Sequence, residues 1–278
     1  MTGLRVTELA TAAADLDHPE GVALGPDRML YAGGEAGQVY RIDPRAGSAE
    51  QIADTSGSAL GICLDAGGSV YLCDPGNAAL MRIDADSGAV ERWCEAAAGR
   101  PLMMPNSAAF DTDGSIWMTD SGTEALGVRD GRLLRVPAGG GDAELIETGP
   151  LDFPNGICLG ADRRVHWVES FTPCLRRLDE RGPELVRELP GVVPDGIALD
   201  SEGGFVVACY YPFRLLRVPP AGGDIELVLD DETGIHIPMP TNVAFFGDDL
   251  GQLAIACLGG HEIKVAVAPV TGAALVYP

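Results

Sequence analysis

The sequence predicts an all-β fold, a six-bladed β-propeller of four-stranded antiparallel blades forming a single domain over residues 1–278. Two observations predict it. One segment pattern recurs six times, and no apolar pattern at helical spacing runs for about ten residues or more. The chain is punctuated throughout by 37 Gly and 20 Pro. The copies are HPEGVALGPDRMLYAGG from His18, SALGICLDAGGSVYLCD from Ser58, MPNSAAFDTDGSIWMTD from Met104, FPNGICLGADRRVHWVES from Phe153, VPDGIALDSEGGFVVACY from Val193 and MPTNVAFFGDDLGQLAIA from Met239. Each reads as a short apolar strand, a turn rich in Asp and Gly, and a second apolar strand, which is the pattern of a β-hairpin.

After most hairpins comes a third strand, QVYRID, ALMRID, RLLRV, CLRRLD or RLLRV, and then a more polar stretch suited to an exposed fourth strand. Taking the residue two before the first strand's apolar pair as reference gives Glu20, Leu60, Asn106, Asn155, Asp195 and Asn242, at steps of 40, 46, 49, 40 and 47 residues. A period of roughly 40–50 residues with four short strands is one propeller blade. Closing the ring removes exposed sheet edges, and the early strand LRVTEL is expected to pair with the strands around IKVAVAPV to do so.

Hydrophobic residues at 46% and charged residues at 22% place the chain among soluble globular proteins. Lys and Arg number 19 against 41 Asp and Glu, a net charge of −22 that repels nucleic acid and anionic membranes. No apolar run approaches the roughly 18 residues of a membrane span. The start, MTGLRVTELATAAADLD, lacks the apolar core of a signal peptide, so a cytoplasmic location is expected, as monomer or homodimer. The seven cysteines form no CxxC pair and mostly sit in apolar runs, so they read as small buried hydrophobes.

In a propeller the innermost strands line the central channel. The six reference residues are therefore expected at equivalent heights around the axis, and five of them, Glu20, Asn106, Asn155, Asp195 and Asn242, carry side-chain oxygen. Asp and Asn are also common in turns, but here each lies beside a proline or a fixed apolar pair that sets its direction. Hard oxygen donors without His or Cys favour calcium, magnesium or manganese over zinc, and two carboxylates balance a divalent charge. The ends of the second strands, including Asp74, Thr119-Asp120-Ser121, Glu169-Ser170 and Cys209-Tyr210-Tyr211, are expected to rim this site as a polar and aromatic mouth. The hairpin turns, among them Asp111-Thr112-Asp113-Gly114, read as structural, and His166, Trp117 and Trp167 as packing residues. His18 reads first as a neutral core or surface histidine and second as a neighbour of the metal or substrate. No nucleophile elbow, HExxH, Walker loop or GxGxxG is present.

Together HPEGVAL, MPNSAAFDTDGSIWMTD, FPNGICL and VPDGIALD resemble the regucalcin/gluconolactonase-like propellers (senescence marker protein, gluconolactonase and luciferin-regenerating enzyme), over essentially the whole chain. The resemblance implies that Glu20, Asn155 and Asp195 bind one divalent cation, calcium first, with magnesium, manganese or zinc as alternatives. It also implies that Asn106 faces substrate or water, that Asp195 activates water, and that Glu124 contacts substrate hydroxyls. Sugar lactonases of the family commonly carry Arg two residues before the Asn of blade 3, where this chain has Met104. With Phe153, Tyr210, Tyr211 and Phe213 also near the mouth, a less polar pocket is expected, so Met104 and Tyr210 join the substrate contacts. The leading expectation is a metal-dependent hydrolase of a small-molecule lactone or ester, with Asp195 as general base. The alternatives are a repurposed propeller enzyme (isomerase or condensing enzyme) and a non-enzymatic metal-binding or scaffold propeller.

Overall fold

The computed structural model describes residues 8–278, and six four-stranded antiparallel sheets stand around its central axis. Blade 1 comprises Val22–Leu24, Leu30–Gly33, Gln38–Asp43 and Ser48–Asp54 from the axis outward, and blade 2 Ile62–Leu64, Val70–Asp74, Ala79–Ile83 and Val90–Cys94. Blade 3 comprises Pro105–Phe110, Ile116–Asp120, Gly131–Val136 and Glu144–Leu151, and blade 4 Pro154–Leu159, Val165–Glu169, Cys174–Asp179 and Gly182–Glu188. Blade 5 comprises Val193–Leu199, Phe205–Tyr211, Arg214–Val218 and Glu226–Asp230. Blade 6 takes Pro240–Phe246, Gln252–Cys257 and Ile263–Val267 from the end of the chain and Ala10–Ala13 from its beginning. Helix is confined to 3-10 turns such as Pro220–Gly222, and among the described residues no helix is long and apolar enough to cross a membrane.

Burial explains the strand sequences. Second strands such as Val70–Asp74 and Val165–Glu169 are buried at every position, because a neighbouring blade covers each face, and so read as unbroken apolar runs. Outer strands such as Val90–Cys94 and Gly182–Glu188 are largely exposed and polar. Six apolar clusters fill the six junctions between adjacent blades.

The ring closes where expected on blade 6 but with a different partner. Ala10–Ala13, rather than LRVTEL, pairs antiparallel with Ile263–Val267, with Ala10 opposite Val265 and Thr11 opposite Lys264. Of the expected strand, residues 4–7 lie outside the described residues, and Leu9 packs beside the core between blades 5 and 6. Small side chains decide the register: Ala12 and Ala13 are buried in the cluster between blades 6 and 1, beside Tyr40 and Ile263.

At the upper end of the channel the inner strands touch. A Cβ on Gly21 would lie 2.1 Å from the Leu60 carbonyl oxygen of the next blade, and one on Gly156 would lie 2.4 Å from that of Asp195. Gly61 and Gly196 hold the same place and meet blades 3 and 6 in the same way. Below this neck, small half-buried residues (Ala23, Cys63, Ala109, Cys158, Ala198 and Ala244) line an apolar lumen of about 580 Å³. The C-terminal segment crosses its lower end: Ala273 N donates to Leu199 O (3.1 Å), Tyr277 Oη to Leu24 O (2.8 Å), and the Pro278 carbonyl accepts from Ala66 N (3.2 Å).

Replacing Gly156 with Ala is expected to lower stability by about 1–3 kcal/mol, the cost of overpacking against main chain. A thermal melt would read this as a fall of roughly 2–6 °C. Gly139→Ala, where the added Cβ meets open space, is the matched control and leaves the melting temperature unchanged.

Candidate active site

Proline directly precedes the key residue in five blades, which biases the chain before it toward extended backbone. In blades 3 to 6 the pairing register breaks at this point, between Pro105 and Ser107, Pro154 and Ile157, Pro194 and Ile197, and Pro240 and Asn242. A bulge there lets the residue after proline leave the sheet's alternation and turn toward the axis. Four of these side chains, Glu20, Asn106, Asn155 and Asp195, are buried at the upper end of the channel. Leu60 fills the blade 2 place and packs against the core between blades 2 and 3.

Blade 6 differs from the sequence expectation by one residue. The added Cβ of Gly156 would meet Asp195 O and Gly196 Cα, and that of Gly196 would meet Thr241 O and Asn242 Cα. Thr241 is therefore the equivalent of Asp195, and Asn242 occupies the neck position that glycine holds elsewhere. Thr241 Oγ1 donates to Glu20 O (2.8 Å) and so fastens blade 6 to blade 1, whereas Asn242 Oδ1 accepts from Val243 N (2.8 Å) at the top of the lumen.

Glu20, Asn155 and Asp195 come together. Burial pushes the Asp195 carboxyl up to about 8, against a hydrogen bond from Asn155 that favours the charged form. Burial first, and the charge of Asp195 second, hold the Glu20 carboxyl well above the usual carboxylate range. Glu20 Oε2 is buried with no hydrogen-bond partner. Asn155 is held from both sides: its Nδ2 donates to Ser170 Oγ (3.2 Å), and its carbonyl accepts from Thr119 Oγ1 (2.7 Å). Asn106 is fixed through its carbonyl, which accepts from Gly61 N (2.8 Å). Among the described residues no three His, Cys, Asp or Glu gather; the side-chain oxygens that meet here are those of two carboxylates and an asparagine amide. An orphaned carboxylate oxygen beside a second buried carboxylate, in an all-oxygen set, fits a hard divalent cation and suits zinc poorly.

Tyr210 is half-buried, and its phenol is held above its usual range by burial, then by the charges of Asp195 and Glu124. Glu124, exposed on the loop after Asp120, therefore lies within electrostatic reach of the same phenol. Met104 is half-buried just ahead of Asn106; its N–H donates to Asp120 Oδ1 (2.7 Å) and its carbonyl accepts from Ser121 N (2.8 Å).

The expected polar rim is a different device. Asp74, Asp120 and Glu169 are buried and turned to backbone rather than to the channel mouth. Asp74 accepts from Ser58 N and Asn77 N (2.9 Å each), Asp120 from Met103 N (3.0 Å) and Met104 N, and Glu169 from Asp152 N (3.0 Å). Arg132 pairs with Asp120, and Arg176 with Glu169 at 2.5 Å. Each carboxylate fixes the loop leading into an inner strand. Ser121 and Ser170, also expected on the rim, donate to Pro154 O and Pro194 O of the next blade (2.8 Å each). The recurrence of a hydroxyl or carboxylate at the end of second strands was the available signal for these positioning residues. His18 is held by Leu258 O through Nδ1 (2.8 Å), its ring 4.3 Å from that of His261. The hairpin turns are structural as expected: Asp111 accepts from Thr112 N and Trp117 Nε1, and Asp113 from Ser115 N. His166 and Trp167 are buried.

The raised carboxyls give a sign for stability. Asp195 stays protonated in the fold up to about pH 8 but ionises near 3.8 when unfolded, so its contribution is full below pH 4 and is lost as pH rises toward 8. Chelator-stripped protein is expected to melt at progressively lower temperature between about pH 4 and pH 8. Asp195→Asn flattens that slope, and differential scanning calorimetry across the pH series checks it.

A plant relative, a strictosidine synthase-like protein of Arabidopsis thaliana, is 27% identical over 181 residues, covering 59% of this chain and 47% of its own length. A 6-deoxy-6-sulfogluconolactonase of Pseudomonas putida is 33% identical over 239 residues, covering 79% of this chain and 75% of that protein. Among solved structures, a calcium-binding regucalcin of Agrobacterium tumefaciens matches with a TM-score of 0.79 at 16% identity, over 100% of this chain and 99% of its own. A gluconolactonase of Xanthomonas campestris matches with a TM-score of 0.76 at 20% identity, over 94% and 89%. The model of the SMP-30/gluconolactonase/LRE-like region matches residues 19–258, and the chain belongs to that family of lactonase-like propellers.

Proposed function

We propose that the protein is a metal-dependent lactonase acting on a small molecule at the upper end of its channel. The observation that carries this is Glu20 Oε2, buried without a partner beside the buried carboxyl of Asp195. Glu20, Asn155 and Asp195 would hold a divalent cation, calcium first, which when bound polarises a lactone carbonyl and offsets the two carboxylate charges. Asp195 is the general base: it takes a proton from the water that attacks the carbonyl carbon. The ring C–O bond then breaks, and the proton passes to the departing ring oxygen, leaving an open-chain hydroxy acid. Asn106 and Tyr210 orient the ring over Asp195, and Glu124 borders it from the loop. The lactonase relative, sharing a third of its residues over most of both chains, supports the reaction class.

Hydrolysis of a panel of aldonic, aliphatic and aromatic lactones is expected to stop on chelation and return with calcium, magnesium or manganese. Asp195→Asn is expected to lower kcat by about 10³-fold or more with an unchanged circular dichroism spectrum. An unaffected rate overturns the assignment of the base. Metal binding with no hydrolysis of any lactone favours an isomerase or condensing enzyme built on the same site, a reading that Met104 and the aromatic approach support.

A further inference from the structure

We propose that the substrate of this site is an uncharged lactone bearing a hydrocarbon substituent, which lies across an apolar mouth outside the carboxylates; this rests on the lactonase reading. The loops that lead into the inner strands and those that leave the second strands all emerge on the face where Glu20 and Asp195 open. On these loops Met103, Leu126, Tyr211, Ile235 and Met239 expose their side chains, with Leu126 at 82% and Ile235 at 74%. Exposed apolar patches mark binding surfaces, and these loops bring five such side chains to one face. Aromatic rings back them: Phe153 stacks on Phe171 at 4.6 Å, and Tyr211 meets Phe213 edge-on at 5.8 Å. Tyr210, within reach of the charges of both Asp195 and Glu124, joins this surface to the reacting centre.

Charge on the same face points the same way. Several Arg and Lys side chains on this face are committed to carboxylates. Arg132 pairs with Asp120, Arg176 with Glu169 (2.5 Å), Arg214 with Asp230 (3.0 Å), Arg129 with Asp152 (3.3 Å), Arg92 with Glu95 (2.7 Å), and Lys264 with Glu262. With these cations paired, Glu20, Asp195 and Glu124 set the charge beside the site and repel a sulfonate, phosphate or carboxylate. A polyhydroxylated ring needs converging donors and acceptors over its whole surface. Hydroxyls pressed against these apolar side chains would lose their water.

The test compares kcat/KM for four δ-lactones: an unsubstituted ring, the same ring with a pentyl chain, a polyhydroxylated ring and a ring bearing a sulfonate. The pentyl-bearing ring is expected to lead the unsubstituted one by about tenfold or more, the gain from burying part of the chain. Leu126→Ser combined with Ile235→Ser, both at exposed positions, is expected to cut that preference severalfold. Preference for the polyhydroxylated or the sulfonated ring overturns the inference while leaving the lactonase reading intact. If none of the four is hydrolysed, the lactonase reading fails, and calorimetric binding of the pentyl-bearing ring then decides. Binding weakened by the double substitution upholds the apolar mouth, and no binding overturns it.

Discussion

At four of the six junctions the inner strands lie so close that a single methyl group on Gly21, Gly61, Gly156 or Gly196 would enter the next blade's main chain. This contact fixes the radius of the ring at one height, and the residues just above it inherit that radius. Glu20, Asn155 and Asp195 are brought together because their neighbours in sequence cannot move apart. The two junctions without glycine keep the geometry by other means: Ser107 Oγ accepts from Ile157 N of the next blade (3.3 Å), and Thr241 Oγ1 donates to Glu20 O of blade 1 (2.8 Å). The electrostatics follow from the same constraint. Two carboxyls confined where water is excluded raise each other's cost of ionisation, and the protein's chemistry starts from that cost.

A minority of the acidic residues are buried, and several of these work on the backbone. Asp74, Asp120 and Glu169 hold backbone amides beneath the loops, and Asp231 does the same for His236 N (2.6 Å) and Ile237 N (2.9 Å) in blade 5. These carboxylates stand where a helix would ordinarily supply caps, in a fold whose loops have no helix to lean on. They fix the approach to the inner strands of blades 2, 3, 4 and 6, and in the last three the proline that follows delivers its neighbour at a set height. The hydroxyls of Thr119, Ser121, Ser170 and Thr241 complete the device by joining consecutive blades through main-chain carbonyls.

The propeller was legible because its hairpins repeat both a period of two and an Asp-Gly turn, and no other arrangement needs six copies. Glu20, Asn106, Asn155 and Asp195 were legible because proline marks each of them. Asn242 was placed one residue out of register since Thr241 and Asn242 are both polar and blade 6 lacks the glycine that would have fixed the alignment. The closing strand was hidden for a related reason: ATAA has poor strand propensity beside LRVTEL, and only the small space beside Tyr40 selects it. Asp120 and Glu169 could not be told from rim residues, because a carboxylate at a strand end reads the same whether it meets solvent or a row of amides. The C-terminal segment belongs to no repeat, so nothing in the spacing announced where it goes.

That segment makes the channel a cul-de-sac. Ala273 and Tyr277 are bound across the lower end, and the walls between are mostly apolar, a poor route for an ion. On the proposed reading, whatever arrives at the carboxylates departs by the door it entered, past Tyr210 and Glu124. Arrival and departure are then consecutive uses of one passage, and a negatively charged product standing there is hurried outward by the same acidic surface that did nothing to attract it.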